Sequence, residues 1–434
     1  MTITAPAAHH GEKDPHPPGA SNYDRRVKAE SRFTFFVLRP ISDLVLWLWR
    51  LERRIEFVYR PRFDRWLRPS LFRLVQWLQN RSRRDEHLAL AEERPLPDED
   101  AHVREIISEI SKFTRENYAP GAAQRFGNTK TFGVVRAEFT VLPNLPPNLR
   151  HGILAEPRSF RAWVRFSGPG PYVPPDLEDY GQCSVGIKLL GVEGPKLIDD
   201  EQTTQDLILV TPEAFVTPDV RENAKLQHWV RAKASLFYFV NPFDSHVLHL
   251  VMQALYSTMH SSPLEVAYYS NVPFLLGDGQ AVEYSLRPCS PGRSRVPAKP
   301  AENYLHDAMI RTLDGGAWTF DFLVQVQTDP HRMPVEDATV KWPENLSPYV
   351  PVARLRIPAQ RFDSDEQMAF ADALRYNPWH SLPEHRPLGN SNRARRTMYE
   401  ELARLRQRMN QVDHVEPTGE ERFPGSPPLP LAGA

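Results

Sequence analysis

Over the first quarter of the chain, apolar positions recur at helical spacing. Leu44, Trp47, Leu48, Leu51, Ile55 and Val58 form one run, and Leu67, Leu71, Leu74, Val75 and Leu78 form another after Pro61 and Pro69. The pattern predicts two amphipathic helices in an arm over residues 33–95, preceded by a disordered polar tail over 1–32. The other faces are crowded with arginine: Arg50, Arg53, Arg54, Arg65, Arg68, Arg73, Arg81, Arg83 and Arg84. Arg39, Pro40 and Asp43 cut the apolar run, so it contains no span of roughly 20 apolar residues. Residues 33–84 can therefore lie on a membrane surface without crossing it, or pack on the body or on a second subunit. Periodicity alone does not choose between these.

A polar break, EERPLPDED, precedes a third helix carrying Val103, Ile106, Ile107, Ile110 and Phe113. From about residue 130 to 358 the pattern changes to short β-rich runs, among them TFGVVRAEFTV, AWVRFSG, DLILV, AVEYSL, FDFLVQVQT and VARLRIP, separated by Pro and Gly turns. Two stretches between them, LQHWVRAKASLFYFV and HVLHLVMQALYSTMH, read as helical insertions. The helix RARRTMYEELARLRQRMNQ closes a central domain over 96–412, and a Pro/Gly-rich tail follows over 413–434. An α+β protein is expected, with an antiparallel β-barrel core, helical insertions and an amphipathic N-terminal arm.

Composition removes several function classes. With 53 basic and 54 acidic residues the bulk charge favours neither nucleic acid nor another polyanion. Cys183 and Cys289, with no CxxC, exclude zinc and iron–sulfur frameworks and read as buried strand or loop thiols in a reducing compartment. The start lacks a secretion signal, which suggests a cytoplasmic protein, if not one held peripherally on the inner face of the membrane.

On the last helix Arg395, Tyr399, Leu402 and Arg406 stand at i, i+4, i+7 and i+11, so both arginines share the tyrosine's face. A neighbouring guanidinium favours the phenolate, the form that binds ferric iron. RARRTMY resembles the proximal-helix motif of haem catalases. In the same order, RFGNTKTFGVV resembles their distal segment, WVRFSG the next barrel strand, DATVKWP and PVARLRIP the segment that closes the barrel, and YNPWHSLPEHRP the linker to the proximal helix. The resemblance runs from about Arg125 to Arg408 and implies a catalase-like fold with haem b. It further implies that Tyr399 is the iron ligand, that Arg395 supports its phenolate, and that Arg125, Arg165 and Arg406 pair with the propionates. Bidentate, charge-assisted bonds suit such buried carboxylates.

The distal positions depart from the catalase pattern. Asn128, followed by Thr129, stands where catalases carry the distal histidine, and Val210 where they carry an asparagine. An amide cannot shuttle a proton near neutral pH, so hydrogen peroxide dismutation is expected to be weak at most. The sequence also resembles lipid-active relatives of catalase in SPLEVAYYSNVPFLLG and FDFLVQVQTDPHRMPVEDATV. Three readings follow: a haem enzyme of fatty-acid hydroperoxides with Asn128, Thr129 and Val210 at its reacting side, a protective peroxidase of small peroxides, or a haem-binding barrel without catalysis. A homo-oligomer is compatible with each. His380 and His385 read as structural hydrogen-bonders, and the spacing of His228 is uninformative.

Overall fold

In the computed structural model, residues 22–83, 88–179, 181–292 and 294–424 are described. The first 21 residues of the expected tail, Arg84, and the expected C-terminal tail beyond residue 424 lie outside them. The chain divides into two units, Met1–Leu48 and Trp49–Ala434. The described part of the first is helical from Asn22, inside the stretch read as polar tail, and its Leu44, Val45, Trp47 and Leu48 are exposed.

The helices are α1 (Asn22–Trp66), α2 (Arg68–Ser82), α3 (Glu99–Asn117), α4 (Val220–Arg231), α5 (Leu236–Val240), α6 (Val247–Tyr256), α7 (Tyr304–Gly315), α8 (Asp365–Ala373) and α9 (Asn390–Asn410). The strands are β1 (Thr131–Val141), β2 (Ser159–Ser167), β3 (Ser184–Leu190), β4 (Thr204–Val210), β5 (Tyr268–Tyr269), β6 (Phe274–Leu275), β7 (Ala281–Pro288), β8 (Trp318–Val326) and β9 (Val350–Ile357). Eight of them close an antiparallel barrel in the order β1–β2–β3–β4–β5–β7–β8–β9, with β9 back against β1 and β6 hairpinned onto β7. Alternation along each strand fills the interior with Phe139, Phe160, Val164, Ile187, Leu207, Tyr284 and Phe322. The barrel is thus a packed core, and Arg165, Ser184, Lys188, Asp206 and Val210, on the alternate positions, face outward.

The insertion between β4 and β5 supplies α4, α5 and α6, and the part of the arm from residue 49 onward docks on it. Phe63, Phe72 and Val75 pack with Met252, Leu255 and Tyr256, while Arg53 and Glu56, both buried, pair at 2.9 Å. The arm was expected as two helices around Pro61 and Pro69. In the structure α1 runs through Pro61 and the break falls at Leu67, with Pro69 in the first turn of α2, where a missing N–H costs least. Residues 413–424, expected to be part of a tail, strap the barrel. Glu416 accepts from the Gln202 and Thr203 amides, Glu421 accepts from Trp163 Nε1 at 3.0 Å, and Phe423 packs on Trp163 and Phe370.

Candidate functional site

The outer wall of the barrel carries a row of side chains set by strand register. Ser184 pairs with Val210, Val210 with Tyr269 and Tyr269 with Ser285, so one line of side chains crosses β3, β4, β5 and β7. Neighbouring strands lie about 4.8 Å apart, so adjacent members of the row are neighbours. Asn128 joins its end: Ser184 Oγ donates to Asn128 Oδ1 at 2.6 Å, and the Asn128 amide donates to the Pro169 carbonyl at 2.8 Å. Asn128 has φ +54°, a left-handed conformation that asparagine tolerates better than most side chains. Thr129 is buried with its hydroxyl committed to the Arg125 carbonyl at 2.8 Å, which closes the turn that presents Asn128. Gly170 makes room for that hydroxyl, since a Cβ there would stand 2.1 Å from Thr129 Oγ1.

Arg125, Arg165 and Arg406 come from three distant stretches and meet beside the C-terminal end of α8. Arg125 donates to the Ala371 and Leu374 carbonyls, and Arg406 to Asp372 O at 2.5 Å and Leu374 O at 3.3 Å. Arg165 donates to Thr131 Oγ1 at 2.7 Å and Thr129 O at 3.2 Å. The negative end of a helix and its free carbonyls suit cations, but the net charge is left over. The carboxylate that bears on all three is Asp372, 3.7 Å from Arg125 and half exposed. Burial, then the Arg125 charge, pulls Arg165 down to about 9, and burial with both neighbouring arginines pulls Arg406 well down. Guanidinium groups stay protonated in proteins, so the depression marks cations that are buried and repel one another without enough neighbouring negative charge.

Helix α9 links that cluster to the row. Arg395 is buried, donates to Asn392 Oδ1 at 3.1 Å and lies 5.7 Å from the ring of Phe215, in the connection that leaves β4. Arg406 reaches the arginine cluster from the other end of the same face, and Tyr399 stands between the two arginines on that face. Ala394, Met398 and Leu402 occupy the adjacent face and pack on α3 and on Phe126 of the distal segment. The Tyr399 side chain is half-buried and no described residue hydrogen-bonds its hydroxyl.

Sequence reasoning did not single out Tyr269, Ser184, α8 or Asp372. For α8 a signal existed: Ser364 three residues before Gln367 is a capping box, and Ser364 Oγ accepts from the Gln367 amide at 3.2 Å. The other residues behave as read, with one exception. His380 lies between Asp206 and Asp200, each 2.8 Å from a ring nitrogen, and His385 accepts from the Ile153 amide at 3.0 Å. His228, on α4, has its Nδ1 3.9 Å from Glu109. Cys183 is buried as expected; Cys289 is exposed, because it follows the last residue of β7 as the chain leaves the barrel. Burial pushes the Cys183 thiol up, and partial loss of solvent together with the neighbouring Asp321 carboxylate pushes Cys289 up to about 11, which disfavours a reactive thiolate.

A fungal catalase superposes on this chain with a TM-score of 0.54 at 15% identity, covering 76% of this chain and 67% of its own. Catalase A from Saccharomyces cerevisiae does so with a TM-score of 0.55 at 16% identity, covering 76% and 70%. No family model matches the chain, and no curated protein matches it in sequence. The fold is catalase-like. On the outer wall of its packed barrel the structure brings Arg125, Arg165 and Arg406 together at α8 and Asn128, Ser184 and Val210 together at the end of β3 and β4.

Proposed function

We propose that this chain holds haem against the outer barrel wall and transforms organic hydroperoxides, fatty-acid hydroperoxides above all, with weak dismutation of hydrogen peroxide. The observation that carries the reading is the convergence of the buried Arg165 and Arg406 and the partly buried Arg125, with too little negative charge, at one end of the helix face that bears Tyr399. Two propionates are carboxylates of the number and kind that would balance those cations. Tyr399 would hold the iron as phenolate, with Arg395 one turn away favouring that form. Bound there, ferric haem would supply the redox chemistry that breaks an O–O bond.

The chain's own residues favour an organic substrate. Asn128 is fixed through its backbone turn and through Ser184, which occupies its Oδ1 and leaves its amide N–H groups to orient a peroxide oxygen. It has no nitrogen that titrates near pH 7, so it cannot carry a proton from one peroxide oxygen to the other. Val210, paired with Ser184 across β3 and β4, presents an apolar surface, which suits an alkyl chain better than water.

Purified protein should show the absorption of a tyrosinate-bound ferric haem and turn over a fatty-acid hydroperoxide faster than hydrogen peroxide. Tyr399→Phe should lose that spectrum or the haem itself, and Asn128→His should raise oxygen evolution from hydrogen peroxide. An unchanged spectrum in Tyr399→Phe would overturn the ligand assignment, and catalase-like oxygen evolution by the wild type would overturn the substrate assignment.

A further inference from the structure

The arm from residue 49 to 83 has two unlike faces. One is buried on the insertion through Arg53, Glu56, Arg60, Val75 and Gln79. The other leaves Leu51, Ile55, Val58, Trp66, Leu67, Leu74 and Trp77 between 43% and 70% exposed, a run of large apolar side chains of the kind that marks an interaction surface. The ionic residues among these exposed positions are all arginines: Arg50, Arg54, Arg62, Arg65, Arg73 and Arg81. Of the acidic residues of the same stretch, Glu56 pairs with Arg53 and Asp64 with Arg60 at 2.8 Å, and Glu52 is half-buried, with burial and the neighbouring Glu56 raising its pKa and so weakening its negative charge. The turn between the helices does not break the surface, since the Leu67 amide donates to Phe63 O at 2.9 Å and the Leu71 amide to Leu67 O at 3.0 Å.

We propose that this face of α1 and α2 docks on an anionic lipid bilayer. Charge decides among the occupants. A second copy meeting the face symmetrically would set arginine against arginine around an apolar centre, which costs rather than stabilises. An anionic bilayer answers both components: headgroups pair with the guanidiniums, while tryptophan and leucine enter the boundary between headgroups and acyl chains. Among the described residues no helix is long and apolar enough to cross a membrane, so the attachment is to the surface. Arg65 and Arg81 lie 5.5 Å and 5.3 Å from the rings of Trp66 and Trp77, so cation and aromatic side chain stand together at the same level of the face. The proposal does not rest on the haem reading.

The test uses the full chain and sedimentation with vesicles, either of phosphatidylcholine alone or of phosphatidylcholine with phosphatidylglycerol. Binding is expected to the mixed vesicles at low salt and to fall as salt shortens the screening length. The quadruple change Arg62→Gln, Arg65→Gln, Arg73→Gln, Arg81→Gln is expected to weaken partitioning on the order of a hundredfold. The separate change Trp66→Ser, Leu67→Ser, Trp77→Ser should abolish it. Circular dichroism and gel filtration of both variants check that the exposed face has been altered without unfolding. Failure of the wild type to bind the mixed vesicles at low salt, or equal binding to both kinds, would overturn the proposal. So would a concentration-dependent dimer that the same substitutions dissolve, since the face would then belong to a second copy.

Discussion

Two clusters of buried charge lie on the outer wall of the barrel, and they are built on opposite plans. Around Lys188 the signs alternate: its ammonium pairs with Glu201 and, at 2.7 Å, with Asp206, while His380 bridges Asp206 and Asp200. Around Arg165 three guanidiniums face backbone carbonyls and share the half-exposed Asp372. The first cluster is complete, and it ties β3 and β4 to the linker that leads into α9. The second sets three cations against one half-exposed carboxylate, so its local charge is not balanced by the described residues. Buried charge as such therefore says little about function; the informative quantity is whether the local signs balance.

The comparison breaks most visibly at Lys188. Lys188→Met fills the same space but takes the ammonium from the buried Glu201 and Asp206 and leaves them to His380, and removing one partner of a buried ion pair costs about 3–5 kcal/mol. Chemical denaturation of the variant should show a loss of that size. A loss under about 1 kcal/mol, the range of an exposed pair, would mean that the network is solvated and the contrast with the arginine cluster is unfounded.

His380 sharpens the same side. Burial disfavours its charged ring, but hydrogen bonds to Asp200 and Asp206 outweigh that and hold its pKa at about 9, above the ordinary 6.5. The folded state therefore binds the proton more tightly than the unfolded one. The stabilisation is complete below about pH 6.5 and fades as pH rises through about 9. Between those limits the wild type should lose about 3 kcal/mol that His380→Gln does not lose, read from melting temperatures across the range. Parallel pH profiles for the two proteins would remove His380 from the network.

Much of this architecture was legible in the sequence, and the part that was not has a common cause. The strands show as alternation because the barrel has a filled interior, and α9 shows as helical spacing with its arginines and tyrosine on one face. Arg125, Arg165 and Arg406 could be named from a collinear resemblance, although only folding brings them together. Helix α8 escaped notice because its nine residues, DEQMAFADA, bury little beyond Gln367 and Ala371, so it has no apolar stripe to betray it. Its contribution is made by backbone carbonyls, which every sequence has. The strap over residues 413–424 escaped for a related reason. Its Pro/Gly-rich composition reads as a tail, and it is held by carboxylates on main-chain amides and by Phe423, contacts that leave no periodicity.

The smallest change in stability is expected at Arg165, and its sign separates the two clusters. Arg165 is 4% exposed, and its charge is opposed by Arg125 before it is helped by Asp372. Arg165→Met removes an unbalanced buried charge and keeps most of the apolar stem. Against that gain, the Thr129 carbonyl loses a donor, while Thr131 Oγ1 still donates to Asp372 Oδ1 at 3.2 Å. A lost hydrogen bond of this kind costs about 1 kcal/mol, and relief of like-charge repulsion offsets it, so the ligand-free variant should stay within about 1 kcal/mol of the wild type. If the proposed haem site is right, haem retention should respond quite differently, because one proposed propionate partner is gone: affinity should fall at least about tenfold, the loss of a single charge-assisted hydrogen bond. Denaturation of the haem-free proteins and haem titration read these two quantities separately. A strongly destabilised haem-free variant that still bound haem normally would place Arg165 with Lys188 among the structural charges, and the propionate assignment would then rest on Arg125 and Arg406 alone.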